Sequence, residues 1–239
     1  MGRVILITND DGIHADGLIR LAREAVRLGT VWLVAPHVQR SVTSHGITLD
    51  KPLDVRPAAF EVEGVRAFSC SGMPADCVRI GIMELMDTPP DVVLSGVNYG
   101  YNVASDIQYS ATAAAAFEAS FLGYRGIALS EDTGTCHEVT DAFLGEILEE
   151  MIDLPHGPGM AWNVNFPGCP LSECRGIWRD RTVSTEVVYD DRFELAEDLP
   201  DGGKRFVVRG EMRDQAAEGT DFHAILNNAV SVGRMRNIS

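Results

Sequence analysis

Basic residues are scarce in this sequence: 20 lysines and arginines stand against 35 acidic residues in 239, a formal net charge of −15. No run of Lys and Arg forms a patch, which argues against nucleic acid polymers and membrane surfaces as partners, since both repel an acidic chain. Long apolar runs are also missing. Val4-Ile5-Leu6-Ile7 is cut off by Asn9-Asp10-Asp11, too short for a secretory or membrane-spanning segment. The five cysteines contain no CxxC pair, and Cys169 and Cys174 flank Pro170 at a spacing poorly suited to zinc. Reduced thiols in a cytoplasmic protein are expected, with Cys70 and Cys77 in the core. No GxxxxGK[ST] loop, GxGxxG turn after the first strand, HExxH or GxSxG occurs. Their absence argues against P-loop kinases, nicotinamide dehydrogenases and serine hydrolases.

Apolar residues at 45%, spread along the chain, argue for a folded protein. A chain of this size buries roughly 70–75% of its unfolded surface and needs no disulfide or metal to hold a core. Apolar, β-branched runs at 4–8, 31–35, 91–95, 126–130 and 161–166 read as buried strands. Amphipathic or alanine-rich stretches between them read as helices: one capped by Asp16, one over 74–86 led by Pro74, then 111–122 and 138–152. Segments 47–55 and 61–69 read as extended. The alternation predicts an α/β fold, a Rossmann-like doubly wound, mostly parallel sheet.

The last third differs. Residues 176–189 and 204–213 alternate with period 2 around Pro200-Asp201-Gly202-Gly203 and predict a long hairpin, followed by a short helix at 220–226 and a strand at 229–235. A single domain over 1–239 is expected, with an α/β core to about 168 and a β-rich C-terminal arm from 169 to 239.

In such a sheet, ligands bind beyond the carboxyl ends of the strands. The residues there are Asn9, Asp10, Asp11 and Gly12 after the first strand, and Arg40, Ser41 and His45 after the second. Gly96, Asn98, Gly100 and Asn102 follow the third, then Asp106, Tyr109, Ser110 and Thr112. Two adjacent carboxylates, a hydroxyl and a carboxamide make an oxygen-only donor set suited to magnesium, manganese or calcium. Ser110 or Thr112 can cap the following helix, whose free N–H groups receive phosphate without a lysine. Each piece also has a structural reading: Asn9 to Gly12 as a turn, Asn98 as a left-handed residue, His45 as a hydrogen-bonded histidine, and the tyrosines as packing. The residues alone imply an oxygen-ligand site fit for phosphate and leave those alternatives open.

At these residues the sequence resembles the SurE family of survival-protein 5′/3′-nucleotidases. The signatures occur in order: Ile7-Thr8-Asn9-Asp10-Asp11-Gly12, Ala35-Pro36 with Arg40-Ser41, His45-Gly46-Ile47-Thr48, and Ser71-Gly72-Met73-Pro74-Ala75-Asp76-Cys77-Val78. Ser95 to Asn102, Tyr109-Ser110-Ala111-Thr112 and Asn163-Val164-Asn165-Phe166-Pro167 complete them. The resemblance implies one divalent ion per subunit, Mg²⁺ or Mn²⁺, on Asp10, Asp11, Ser41 and Asn98. It implies phosphate binding by Asn9, Ser110 and Thr112, and catalysis by Asp10 and Asp11 through a metal-activated water. The implied reaction is hydrolysis of nucleoside 5′- or 3′-monophosphates, with some activity on short polyphosphate, by a homodimer or homotetramer built through the C-terminal arm. The rival expectations are a nucleotide-binding module with little catalysis and an exopolyphosphatase. Ala111 stands where the family usually has glycine, His37 where aspartate is common, and Ser231-Val232-Gly233-Arg234-Met235 replaces a common Ser-Val-Thr-Pro-Leu.

Overall fold

The computed structural model describes residues 2–237. The β-branched runs form strands whose inner residues, among them Ile5, Leu6, Ile7, Leu33, Val34 and Leu94, are fully buried because helices cover both faces. In chain order come β1 (Arg3–Thr8), α1 (Asp16–Ala25), β2 (Gly29–Pro36), β3 (Val55–Pro57), β4 (Val65–Cys70), α2 (Pro74–Ile80) and β5 (Val92–Tyr99). Then follow α3 (Ala111–Phe121), β6 (Arg125–Glu131), α4 (Glu138–Met151), β7 (Met160–Phe166) and β8 (Ile177–Arg181). The chain continues with β9 (Tyr189–Asp198), β10 (Lys204–Met212), α5 (Asp221–Leu226) and β11 (Val230–Arg236).

Nine strands form one sheet in the order β3-β4-β2-β1-β5-β6-β7-β11-β8. The ladder is parallel from β4 to β7, with antiparallel pairs at β3–β4 and β7–β11 and a parallel β8 at the far edge. Leu18, Leu21 and Ala22 of α1 pack with Leu144, Ile147 and Leu148 of α4 in one core cluster. Cys77 and Val78 of α2 pack with Ala115 and Ala119 of α3 in another. The sheet is therefore doubly wound, as expected. From β1 the chain winds outward through β2 and β4, then returns to β5 and winds the other way. The crevice between the carboxyl ends of β1 and β5 is the topological switch point.

Several boundaries differ from expectation. The helix expected over 74–86 stops at Ile80 and passes into a single π turn, Gly81–Leu85. A Cβ on Gly81 would press on side-chain atoms of Leu6 and Val34 at 3.1–3.3 Å, so the segment lies hard against the sheet. Ala15, not Asp16, occupies the N-cap of α1. Asp16 is the first helical residue and pairs with Arg20 one turn on, at 2.7 Å. Segments 47–55 and 61–69 contract to the short β3 and β4, because 47–54 is irregular loop.

Of the described residues 169–237, only the β9–β10 hairpin stands off as an arm. The expected strand 176–189 divides: β8 pairs in parallel with β11 in the main sheet, and the hairpin begins at Tyr189. Both hairpin strands are exposed along their whole length.

Candidate active site

β1 ends at Thr8, and the next residues turn sharply at the switch point. Asn9 builds that turn: its Nδ2 donates to the Gly12 carbonyl at 2.9 Å and its Oδ1 accepts the Gly12 amide at 3.3 Å. Asp10 is 3% exposed and points toward α3. Thr112 donates its hydroxyl to Asp10 Oδ1 at 2.5 Å. Asp11 accepts the Tyr99 amide on Oδ2 at 3.0 Å and the Gln39 side-chain amide on Oδ1 at 3.2 Å. Gln39 Nε2 also donates to Ser41 Oγ at 3.0 Å, so one carboxamide ties the Ser41 loop to Asp11.

From β5 comes Asn98. The strand's register with β6 slips between Ser95 and Asn98. Gly96 sits in that irregularity at φ 138°, and a Cβ there would overlap the Leu129 carbonyl oxygen. Only glycine fits this approach. Asn98 Nδ2 donates to the Gly100 carbonyl at 2.7 Å, and among the described residues its Oδ1 receives no donor.

Asp10, Ser41, Asn98 and Ser110 line a single cleft of about 300 Å³, with Asp106 and Asp191 also in its wall. No Lys, Arg or His is among the described lining residues. Asp11 faces an adjoining cavity of about 240 Å³ that also includes Arg20, Glu131 and His137. Tyr99 and Tyr101 are tethered through their hydroxyls, Tyr99 to the Thr133 carbonyl and Tyr101 to the Gly168 amide. Tyr109 is 58% exposed and presents an open ring at the cleft.

The charge balance is unfavourable without a cation. Burial raises the Asp10 carboxyl to about 6; the Thr112 hydroxyl opposes that rise and the neighbouring Asp11 adds to it. Asp11 is raised too, chiefly by burial, with the Tyr99 amide and Gln39 opposing. Among the described residues no three His, Cys, Asp or Glu side chains converge on a metal position. Other oxygen donors in the cleft wall are the side chains of Ser41, Asn98, Asn102 and Ser110.

Helix α3 closes the site. Ser110 is its N-cap and accepts the Ala113 amide at 2.9 Å. The amides of Ala111 and Thr112 have no protein acceptor among the described residues. They are the free donors that make a helix N-terminus receptive to anions. Ala111 itself has an ordinary right-handed helical backbone and is not among the residues with positive φ.

Of the seven residues expected to bind metal or phosphate, four (Asp10, Ser41, Asn98 and Ser110) thus meet in one cleft. Asp11 stands beside it, Thr112 lies behind Asp10, and the Asn9 side chain is spent on the turn. Sequence reasoning missed Gln39, and also Glu118, whose buried carboxylate meets His45 Nε2 of the Ser41 loop at 2.9 Å. Gln39 carries no motif. Glu118 did leave a signal, as the lone charged residue of an otherwise apolar and hydroxylic helix.

The fold and the cleft define a Rossmann-like α/β protein with an acidic, oxygen-lined crevice at its switch point. Residues 5–187 match the model of the family described as survival protein SurE, and the chain belongs to that family. It is 38% identical to the 5′-nucleotidase SurE of Mesorhizobium japonicum over 238 residues, covering 95% of this chain and 91% of that protein. It is also 38% identical to the 5′-nucleotidase SurE of Geobacter sulfurreducens, covering 95% and 86%. The crystal structure of the SurE protein from Aquifex aeolicus superposes with a TM-score of 0.81 at 32% identity, covering 99% of this chain and 94% of that one.

Proposed function

We propose that this protein is a phosphomonoesterase that hydrolyses nucleoside 5′-monophosphates, and 3′-monophosphates as well, with one divalent ion per subunit. The observation that carries the reading is Asp10, raised by burial and held by Thr112 of α3 in a cleft whose described wall has no basic side chain, with Asp11, also raised by burial, beside it. The relatives named 5′-nucleotidase SurE support the substrate class.

The residues fit a hard cation. Asp10, Asp11, Ser41 and Asn98 offer oxygen donors only, and the Asn98 Oδ1 is uncommitted. Such a set suits Mg²⁺ or Mn²⁺. When bound, the ion supplies Lewis-acid activation of phosphorus and of water.

The chain's own residues do the rest. Thr112 directs Asp10 and favours its charged form. Gln39 keeps Asp11 and Ser41 in one arrangement. The amides at the start of α3, with Ser110 as cap, receive phosphoryl oxygens as charge redistributes. Asn9 shapes the turn that sets both carboxylates. The open ring of Tyr109 offers a stacking face for a nucleobase.

The exposed β9–β10 hairpin, with Phe193 at 73% and Phe206 at 53% exposure, supports a homodimer or homotetramer formed through this arm. We read the chain as one domain, and its free thiols support a cytoplasmic location. Among the described residues no helix is long and apolar enough to cross a membrane.

Phosphate release from nucleoside 5′- and 3′-monophosphates, sugar phosphates and short polyphosphates tests the reading. It is measured with Mg²⁺ or Mn²⁺ and with chelator, on wild type, Asp11→Ala and Asn98→Ala. Nucleotide turnover lost in chelator and in both variants is expected. Full activity in chelator sinks the metal, and faster turnover of polyphosphate than of nucleotides sinks the substrate class.

A further inference from the structure

Ser41 reaches the cleft on loop 37–50, which has little apolar anchorage: Val42 is 76% exposed and Leu49 86%. Two of its residues, Val42 and Ser44, sit at φ 60° and 50°, a region that side-chain-bearing residues avoid and a β-branched valine most of all. Something other than burial holds the loop in this shape.

The restraints are polar. The Arg40 amide donates to the Asp10 carbonyl at 2.6 Å, and the Ser44 amide to the Tyr109 carbonyl at 3.0 Å. Beyond them, His45 Nε2 meets Glu118 Oε2 at 2.9 Å, and the imidazole stacks on Phe121 with ring centroids 5.9 Å apart. Glu118 is 7% exposed, and its other oxygen accepts Arg79 Nη1 of α2 at 2.9 Å. His45 and then Arg79 hold this carboxyl below its ordinary range despite its burial. A buried carboxylate with two partners on two different elements is expensive to leave unpaired, so it fixes their positions.

We propose that Glu118 and His45 are positioning residues that register the Ser41 loop on α3. This rests on the reading of Ser41 as a metal ligand. The first turn of α3 directs Asp10 through Thr112, and the same helix, six residues after Thr112, grips His45. One rigid element therefore sets the spacing between the carboxylate and hydroxyl sides of the cation site. Arg79 pairs with the other Glu118 oxygen from α2, not from the loop.

A double-mutant cycle on Mn²⁺ affinity, measured by calorimetry on the full chain, tests the clamp. His45→Phe, which keeps a ring on Phe121 and deletes the bond to Glu118, is expected to weaken Mn²⁺ binding about tenfold, as loss of a group that orients a ligand does. Ser41→Ala also weakens it, and His45→Phe added to Ser41→Ala costs nothing more, because the clamp acts only through Ser41. Arg79→Met lowers the melting temperature and leaves Mn²⁺ affinity unchanged, which separates positioning from general support. Unchanged affinity in His45→Phe, or fully additive losses, overturns the clamp alone. A wild-type protein that binds no Mn²⁺ overturns the metal site on which the clamp depends. His45 is partly exposed, so the cycle stands even if a Glu118 variant folds poorly.

Discussion

The Thr112 hydroxyl and Asp10 Oδ1 lie 2.5 Å apart although 102 residues separate them in sequence. This bond joins the turn after β1 to the first turn of α3, the two places that a doubly wound sheet brings together at its switch point. Asp10 is buried and close to Asp11, and no basic side chain is among the described residues of the cleft wall, so a hydroxyl donor is its main local support.

Removing that donor tests how much the site depends on it. Thr112→Val keeps the shape and deletes the hydrogen bond. A buried charged acceptor losing its donor costs about 1–3 kcal/mol, so the metal-free variant is expected to melt earlier at pH 7.5. Mn²⁺ affinity should fall tenfold or more, in keeping with the loss of a group that orients a metal ligand. Thr112→Ser, which keeps the hydroxyl, restores most of both. Equal Mn²⁺ affinity in wild type and the valine variant would show that Asp10 needs no such support.

The raised carboxyl of Asp10 makes the metal-free protein pH-sensitive in a definite direction. In the native state this group holds its proton to about pH 6, whereas the unfolded chain releases it near the ordinary value of 3.8. Between those values the native state binds more protons, so its stability falls as pH rises and levels off above 6. The loss is on the order of 3 kcal/mol. In chelator, Asp10→Asn is therefore expected to be more stable than wild type at pH 7.5 and nearly equal to it at pH 4. Denaturant midpoints at the two pH values check this. A variant less stable at pH 7.5 would mean that the carboxylate is well solvated or paired in the native protein.

Much of this was legible because the signals were local. The ends of β1 and β2 could be read from where β-branched runs stop, and Asp10 and Ser41 follow them into the cleft; the third strand, expected to end at 95, runs on to Tyr99, so Asn98 lies within β5 and only Ser110 follows it. Long-range pairing was not legible. Nothing near 177–181 says that β8 will pair with β11 and leave the hairpin, since both choices satisfy a period-2 pattern. Gln39 stayed hidden because its role depends on two distances that no spacing encodes. The end of α2 at Ile80 depends on packing against Leu6 of β1 and Val34 of β2, both far back in sequence.

The hairpin carries an assembly prediction of its own. Phe193, Phe206 and Val208 are exposed by 73%, 53% and 55%, on strands that bury nothing within the subunit. Isolated two-stranded hairpins are marginal in water, so a second copy is the expected support. Phe193→Asp with Phe206→Asp should yield a monomer by light scattering, with the sheet intact by circular dichroism. An unchanged oligomer would move the interface elsewhere, and a monomeric wild type would remove the proposal.

Ala111 supplies the last test, because family resemblance and structure pull in different directions there. A glycine at the corresponding position suggests a need for positive φ or for room beside the phosphate. The first is not so in this chain: Ala111 opens α3 with a right-handed helical backbone. Its methyl is fully buried, so it packs against the protein. Ala111→Gly is then expected to cost roughly 0.5–1 kcal/mol through backbone entropy, and to leave kcat/KM for a nucleoside monophosphate within about twofold, a change worth under 0.5 kcal/mol in transition-state binding. Thermal melts and steady-state kinetics on the two proteins decide it. A gain of an order of magnitude in kcat/KM would show instead that the methyl crowds the incoming phosphate, and that this chain has exchanged turnover for a firmer helix start.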